Sequence, residues 1–226
     1  MSHLLPRIAP LRPFLAACAA LFLLACAPPE RISPQTRGVA VGDSILAWNR
    51  SAGASVIDQI EQRTGLAFAN LSVSGAQLGG TIPGQLPDGA FSWVVINGGA
   101  NDLLRTCGCA GCEEVLDRLV SPDAQRGFLP ALARRATSQG ARVVLLGYYD
   151  GNVTRNAFSG CQGELDELNR RMARIAASRR DVLFVDAGAV IDPADQSHWF
   201  IDHVHPSQKG SALIGDLIAR AMAEAG

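Results

Sequence analysis

The segment Asp202-His203-Val204-His205-Pro206 carries the most specific chemical pattern in the chain. An aspartate three residues before a histidine can place its carboxylate on imidazole Nδ1, which leaves Nε2 free to act as a base. The same segment could instead bind a metal, but no further cluster of carboxylates or histidines in the sequence completes such a site. We therefore expect an acid–base pair, with no metal and no cofactor.

A serine that could act as a nucleophile lies in Gly42-Asp43-Ser44-Ile45, directly after an apolar run. A serine at the point where a parallel strand turns into a helix has its hydroxyl at the rim of the sheet and its N–H at a helix start. Two interpretations of Ser44 are open from this segment alone, a nucleophile and a cap of the following helix.

Two other segments could supply hydrogen-bond donors. Gly75 begins a glycine-rich stretch, and a glycine permits the close backbone approach that would let its N–H point at a substrate oxygen. Asn101 follows two glycines, and its amide could either donate into a cleft or cap the next segment. We expect four aspartates to fix loops or turns instead: Asp43, Asp102, Asp186 and Asp192.

Five apolar runs without charged residues predict buried parallel strands, at 38–41, 66–71, 93–96, 143–147 and 182–185. Apolar residues at helical spacing predict helices around 56–60, 128–136, 165–175 and 214–222. We expect Gly65 and Gly140 to end helices and Ser207 to cap the last one. The alternation predicts a doubly wound α/β/α sandwich, in which the candidate residues share the edge at the carboxyl ends of the strands.

The order of these segments resembles the SGNH (GDSL-like) hydrolase family from about residue 37 to the C-terminus. The matching blocks are Gly42-Asp43-Ser44, Gly75, Gly99-x-Asn101-Asp102 and Asp202-x-x-His205-Pro206. The resemblance implies a flavodoxin-like α/β/α fold with a five-stranded parallel sheet. It also implies a serine hydrolase that cleaves short acyl or acetyl esters through an acyl-enzyme.

The resemblance assigns roles to individual residues. Ser44 would be the nucleophile, His205 the base and Asp202 the residue that orients the base. The oxyanion hole would consist of the N–H groups of Ser44 and Gly75 and the side-chain amide of Asn101. Ile45 stands where the family has leucine, a change that affects only the packing behind the serine.

Substrate contacts are less well defined by the sequence. Trp199 and Phe200, next to Asp202, are candidates, and the loops at 76–90, 103–114 and 148–163 would set acyl and alcohol specificity. We expect a monomer that acts on a small ester or on an acylated glycan or lipid. A non-catalytic envelope binding protein on the same fold and an acyltransferase remain alternatives.

Several function classes are excluded. A formal net charge of −1 with scattered basic residues is not the pattern of a nucleic-acid binder. Neither Gly-x-Gly nor Gly-Lys occurs, which removes dinucleotide and P-loop functions, and Ser44 lacks the Gly-x-Ser-x-Gly elbow of α/β-hydrolases. With 48% hydrophobic and 18% charged residues, the chain is globular rather than disordered.

The N-terminal residues predict export. Arg7 and Arg12 precede an apolar run at 14–25 that is too short to span a bilayer comfortably. The run ends in Leu23-Leu24-Ala25-Cys26, which resembles the lipobox of bacterial lipoproteins; the alternative is an ordinary signal peptide with a chance cysteine. We expect a signal peptide at 1–25, a lipidated Cys26 with a tether over 26–36, and one domain over 37–226 in the periplasm, held to the membrane only by its lipid.

The remaining cysteines are an even set. Cys18 would be removed with the signal peptide, which leaves Cys107, Cys109, Cys112 and Cys161 in an oxidising compartment. Two disulfides, with Cys161 bonded to one of the other three, are one interpretation. A four-thiolate zinc site is the other, although the spacing is irregular for it.

Overall fold

A computed structural model describes residues 28–226, so the predicted signal peptide and Cys26 lie outside the described residues. Its centre is one sheet of five parallel strands in the order β2-β1-β3-β4-β5. The strands are β1 (Gly38–Val41), β2 (Phe68–Asn70), β3 (Trp93–Ile96), β4 (Arg142–Gly147) and β5 (Val182–Asp186). The predicted five-stranded parallel α/β fold is confirmed.

The strand β2 is shorter than predicted at its amino end. Its predicted first residue, Leu66, still belongs to the turn that ends the preceding helix, because the Leu66 N–H donates to Thr64 Oγ1 at 3.2 Å. Gly65 ends that helix with a φ of 69°, as predicted from the sequence. The strand β5 runs one residue further than predicted, to Asp186.

Helices cover both faces of the sheet. They are α1 (Ser44–Ala47), α2 (Val56–Thr64), α3 (Ile82–Gln85), α4 (Ala100–Asp102, which continues into a π-helical turn Leu103–Cys107), α5 (Glu113–Leu119), α6 (Phe128–Ser138), α7 (Gln162–Ala177) and α8 (Gln208–Ala225). Short 3₁₀ turns occur at Arg50–Ala52, Ala187–Ala189 and Gln196–His198.

The four longer predicted helices are confirmed as α2, α6, α7 and α8. The pair α2 and α8 packs together, while α6 and α7 both pack on β4. Ser207 caps α8, since its Oγ accepts from the Gly210 N–H at 3.1 Å. Gly140 lies just beyond α6 at a φ of 89°, one residue after the position that caps the helix.

Two disulfides join the four cysteines of the described residues, Cys107 to Cys112 and Cys109 to Cys161. The bond between Cys109 and Cys161 agrees with the expectation that Cys161 joins the cluster. With all four sulfurs in disulfides, the zinc interpretation has no thiolate ligands and is wrong.

The segment before β1 lies along the outer strand of the sheet. The Arg37 N–H donates to Ala67 O at 2.7 Å, and the Glu30 N–H donates to Asn70 O at 3.1 Å. Within residues 28–226 no helix combines the length and the apolar character that crossing a membrane requires.

Candidate active site

A cavity of about 40 Å³ opens at the carboxyl edge of the sheet. Ser44 and Asn101, which follow β1 and β3, line it together with residues that follow β4 and β5. Two of the candidate residues that the sequence places 57 positions apart therefore face one space.

Ser44 is the first residue of α1, and Asp43 caps that helix. Asp43 Oδ1 accepts from the Ile45 N–H at 3.0 Å. The alternative in which Ser44 caps the helix is therefore wrong, and the Ser44 side chain is available at the helix start. The loop-fixing role expected of Asp43 is confirmed.

Gly42 fits tightly in the turn before Ser44. Its N–H donates to Gln85 Oε1 at 2.7 Å, and its carbonyl accepts from Gln85 Nε2 at 3.0 Å. A Cβ at this position would lie 2.7 Å from the Asn97 carbonyl oxygen, so a larger residue would displace the turn. The turn that carries the candidate nucleophile is thus held by Gln85 and packed against Asn97.

Asp202 and His205 form the pair that their spacing predicts. His205 Nδ1 lies 2.6 Å from Asp202 Oδ2, and Asp202 Oδ1 accepts from the N–H groups of Val204 and His205 at 3.0 Å each. Partial burial raises the pKa of Asp202, but the hydrogen bonds from His205 and the two N–H groups together lower it below its ordinary value. The carboxylate therefore stays ionised and holds the imidazole with Nε2 directed away from it.

The segment directly after α1 holds the histidine loop. The Trp48 indole stacks on the His205 imidazole with 3.9 Å between ring centroids and 7° between the planes. Asn49 Nδ2 donates to Pro206 O at 3.2 Å and to Ser211 Oγ at 2.9 Å. Ser44 and His205 are thus positioned from the two ends of the same short helix.

Asn101 and Gly75 are neighbours in space. Asn101 lies inside α4, which Gly99 precedes, so the capping alternative for Asn101 is wrong. Its Nδ2 donates to the carbonyl of Ala76 at 3.1 Å, next to Gly75. Gly75 has a φ of 75°, in the left-handed region that favours glycine.

Asp102 fixes the loop that carries Gly75. Its two carboxylate oxygens accept from the N–H groups of Leu78 and Gly79 at 2.8 Å each. Burial raises the pKa of Asp102, although these two donors oppose the shift. The loop-fixing role expected of Asp102 is confirmed.

Tyr148 is a central residue that the sequence reasoning missed. Its hydroxyl donates to Asp43 Oδ2 at 2.7 Å and accepts from the Ala100 N–H at 3.2 Å, so it joins the Ser44 turn to the start of α4. Burial raises the pKa of Tyr148 well above its ordinary value, and burial also raises the pKa of Asp43. The available signal was its position directly after the predicted strand 143–147, the same kind of junction that drew attention to Ser44.

The aromatic candidates separate in the structure. Trp199 is buried, lines the cavity and packs edge-on against Tyr149 with 5.2 Å between ring centroids. Phe200 packs edge-on against Trp48 at 5.1 Å instead. The turn roles expected of Asp186 and Asp192 are confirmed, because each accepts from a backbone N–H two residues later.

The far wall of the cavity comes from the loop after β4. Asn156 and Phe158 line it, and Asn156 Nδ2 donates to the His203 carbonyl at 2.9 Å. The disulfide between Cys109 and Cys161 ties this loop to the turn after α4. Among residues 28–226, no group of three or more His, Cys, Asp or Glu side chains is arranged to hold a metal ion.

This arrangement can support acyl transfer. A serine and an amide that line one cavity, and a histidine held by a carboxylate, are the groups that nucleophilic attack on a carbonyl needs. The sequence profile of the GDSL-like Lipase/Acylhydrolase family matches residues 40–213. No curated protein matches the chain.

Solved structures of related folds cover most of the chain. A GDSL-like lipase from Bacteroides thetaiotaomicron is 18% identical with a TM-score of 0.61, over 93% of this chain and 98% of that one. A catalytic mutant of an acetylxylan esterase from Geobacillus stearothermophilus is 20% identical with a TM-score of 0.56, over 86% and 95%. A carbohydrate acetylesterase family member from Sinorhizobium meliloti is 17% identical with a TM-score of 0.61, over 84% and 98%.

At these identities the solved structures show a common fold, whereas the family profile covers more than half of the chain. The profile and the ordered blocks lead to the same assignment. The chain belongs to the GDSL-like lipase/acylhydrolase (SGNH) family and is a carboxylic ester hydrolase of that family.

Proposed function

We propose that this enzyme hydrolyses esters of acetyl and other short acyl groups through an acyl-enzyme on Ser44. The observation that carries the proposal is the small cavity that Ser44 and Asn101 line together. An accessible volume of about 40 Å³ favours a short acyl group over a long one. The acetyl esterases among the structural relatives agree with this size.

In the first step, His205 Nε2 would take the proton from Ser44 Oγ as the oxygen attacks the ester carbonyl carbon. The Asp202 carboxylate on Nδ1 stabilises the imidazolium that forms. The carbonyl oxygen becomes an oxyanion, which would accept hydrogen bonds from the N–H groups of Ser44 and Gly75 and from the Asn101 amide. Each such donor typically contributes about 10² to 10³ in rate.

The tetrahedral intermediate then collapses. The bond to the alcohol oxygen breaks, and His205 gives its proton to the leaving alcohol. A water molecule, deprotonated by the same imidazole, then attacks the acyl-enzyme; the bond to Ser44 Oγ breaks, His205 returns the proton to this oxygen, and the acid is released. Trp199 and Phe158 would form the apolar wall beside the acyl group.

We further propose that the substrate is an ester on an envelope glycan or lipid. The signal-peptide pattern and the lipobox-like segment ending in Cys26 support export and lipid anchoring. The two disulfides also fit an oxidising compartment such as the periplasm.

The test compares hydrolysis of p-nitrophenyl acetate, butyrate and octanoate by the wild type and by Ser44→Ala, Asp202→Asn and Ser92→Ala. We expect Ser44→Ala to lose almost all activity and Asp202→Asn to lose about 10³- to 10⁴-fold, because an amide cannot hold the required imidazole tautomer. Ser92, exposed at the amino end of β3, is the matched control and should leave the rate unchanged.

Equal rates for the wild type and Ser44→Ala would overturn the nucleophile assignment. A preference for octanoate over acetate would overturn the acyl size. An acyltransferase would give more transfer product than acid when a sugar alcohol is added, which would contradict hydrolysis as the main reaction.

A further inference from the structure

The N-terminal segment is fixed at the same edge of the sheet as the candidate active site. The Glu30 N–H donates to Asn70 O at 3.1 Å, and the Asn70 N–H donates to Glu30 Oε2 at 2.7 Å. Asn70 is the last residue of β2, and its Nδ2 donates to the Leu46 carbonyl at 2.7 Å inside α1. Glu30 is therefore joined through one residue to the helix that begins at Ser44.

A buried cation strengthens this attachment. Arg50 Nη1 donates to the carbonyls of Asn70 and Ser72 at 3.2 and 2.9 Å. The Arg50 guanidinium and the Glu30 carboxylate, which carry opposite charges, thus both bind the backbone of Asn70. The same three residues hold the end of β2 and the start of the described chain together.

The position of Glu30 limits where a lipid on Cys26 can lie. Cys26 lies four positions before Glu30, and an extended chain spans at most about 14 Å over that length. A compact domain of this size is about 40 Å across. An anchor at Cys26 is therefore held closer to the carboxyl edge of the sheet than to the opposite edge.

Exposed apolar side chains occur at this same edge. Among residues 28–226, five large apolar side chains are exposed, and the most exposed are Ile201 at 75% and Val153 at 70%. Both lie in loops that follow the carboxyl ends of β5 and β4. The remaining three lie in the segment beside Glu30, in the loop after β2 and at the start of α6: Ile32, Val73 and Phe128.

Phe128 also belongs to this edge. Phe128 lies beside Gly79, where an added Cβ would be 3.3 Å from its ring. The Gly79 N–H donates to Asp102, the residue that follows Asn101, so Phe128 is near the candidate active site. The helix α6 leads into β4 and so runs back from the carboxyl edge. Peripheral membrane proteins bind a bilayer through a lipid anchor together with exposed apolar side chains, which insert between the lipid headgroups and the acyl chains.

From the Glu30–Asn70 attachment and the exposed apolar side chains, we propose that the anchored enzyme holds its candidate active site toward the lipid bilayer. The partner of this edge is the membrane surface, and the substrate class is esters in or directly on that surface. The inference rests on the lipidation of Cys26 proposed above.

Orientation is tested with the lipidated full chain in vesicles of phosphatidylethanolamine and phosphatidylglycerol that contain brominated phospholipid. Ile201→Trp places an indole at the candidate face, and Arg180→Trp places one at the exposed amino end of β5 as the matched control. After subtraction of the wild-type signal, we expect bromine to quench the indole at position 201 and not the one at 180. Equal quenching at both positions, or quenching only at 180, would overturn the inference.

The attachment itself is tested at Glu30, which has no proposed role in the chemistry. Glu30→Ala removes the acceptor for the Asn70 N–H, whereas Glu30→Gln keeps an acceptor oxygen. We expect Glu30→Ala to reduce hydrolysis of a vesicle-embedded acetyl ester several-fold with unchanged hydrolysis of p-nitrophenyl acetate, and Glu30→Gln to stay near the wild type. An unchanged vesicle rate in Glu30→Ala would contradict the role of the attachment.

The experiments distinguish a failure of the proposed lipidation from a failure of the proposed reaction. Mass spectrometry of the N-terminal peptide reports the lipid: a Cys26 without a diacylglyceryl group overturns the orientation while p-nitrophenyl acetate is still cleaved. Loss of ester cleavage with intact quenching at 201 overturns the proposed reaction and leaves the orientation standing.

Discussion

The Trp48 indole lies parallel to the His205 imidazole, with 3.9 Å between ring centroids and 7° between the planes. Trp48 directly follows α1, the helix that starts with Ser44. A four-residue helix therefore carries the candidate nucleophile at one end and the support of the candidate base at the other.

Replacement of Trp48 by leucine should lower kcat/KM by roughly 10- to 100-fold, because the imidazole loses the surface that fixes its plane and small displacements of a reacting group are costly. Trp48→Phe keeps a flat ring and should retain more activity. Steady-state kinetics on p-nitrophenyl acetate provides the measurement. Trp93→Phe, at the start of β3, is the control; a Trp48→Leu variant with wild-type kinetics would show that stacking is unimportant.

Gly75 and Gly65 offer a matched pair of substitutions. Their φ angles are 75° and 69°, so an alanine at either position should cost about 1–2 kcal/mol of the free energy of unfolding. A Cβ on Gly65 meets open space, whereas one on Gly75 would lie 2.9 Å from the Arg105 guanidinium. Gly75→Ala should additionally lower kcat about 10²-fold by moving a proposed oxyanion donor.

Urea unfolding and kinetics of both glycine variants separate the two effects. We expect similar losses of stability, but loss of activity only in Gly75→Ala. If Gly65→Ala loses as much activity, the effect at Gly75 is one of stability and its N–H is not a donor to the substrate.

Tyr148→Phe should destabilise the protein in a pH-dependent way. It leaves the Ala100 N–H without its acceptor, at a cost of about 1–3 kcal/mol, and it removes a hydrogen bond that lowers the pKa of Asp43. Burial already raises the pKa of Asp43 above its ordinary value, so stability falls as pH rises from the unfolded pKa to the folded one. In Tyr148→Phe the folded pKa is higher still, and the loss extends to higher pH.

The difference in the free energy of unfolding between the wild type and Tyr148→Phe should therefore be larger at about pH 7 than at about pH 4. Tyr149→Phe is the control, since that hydroxyl donates to the neutral Val204 carbonyl at 2.9 Å. Urea titrations at both pH values give the comparison. A gap of the same size at the two pH values would mean that Tyr148 does not act through the Asp43 carboxylate.

The two disulfides should differ in their contribution to stability. Cys109 and Cys161 are 52 residues apart and Cys107 and Cys112 only 5, so chain entropy assigns about 4 kcal/mol to the first bond and about 2 kcal/mol to the second. Thermal unfolding of the two double alanine variants measures the difference. A larger fall in Tm for the Cys107/Cys112 variant would contradict this order.

Local patterns in the sequence were sufficient for the strands and for the Asp202–His205 pair. A buried parallel strand shows as an uninterrupted apolar run, and the spacing of Asp202 and His205 within one loop determines their contact. The position of Tyr148 after a predicted strand could have drawn attention to it, but its role could not be inferred, because its partner Asp43 is 105 positions away and its type is ordinary for a buried residue. The cysteine pairing and the Glu30–Asn70 contact likewise depend on which loops the sheet order brings together.

The disulfide between Cys109 and Cys161 also constrains how this enzyme can change its substrate range. It joins the loop after α4 to the loop that forms the far wall of the cavity. An insertion or deletion in one loop shifts one of the two cysteines, so the other loop must change as well if the disulfide is to form. Altered acyl preference in this scaffold therefore calls for paired loop changes, and exchange of both segments together is the route for its directed evolution.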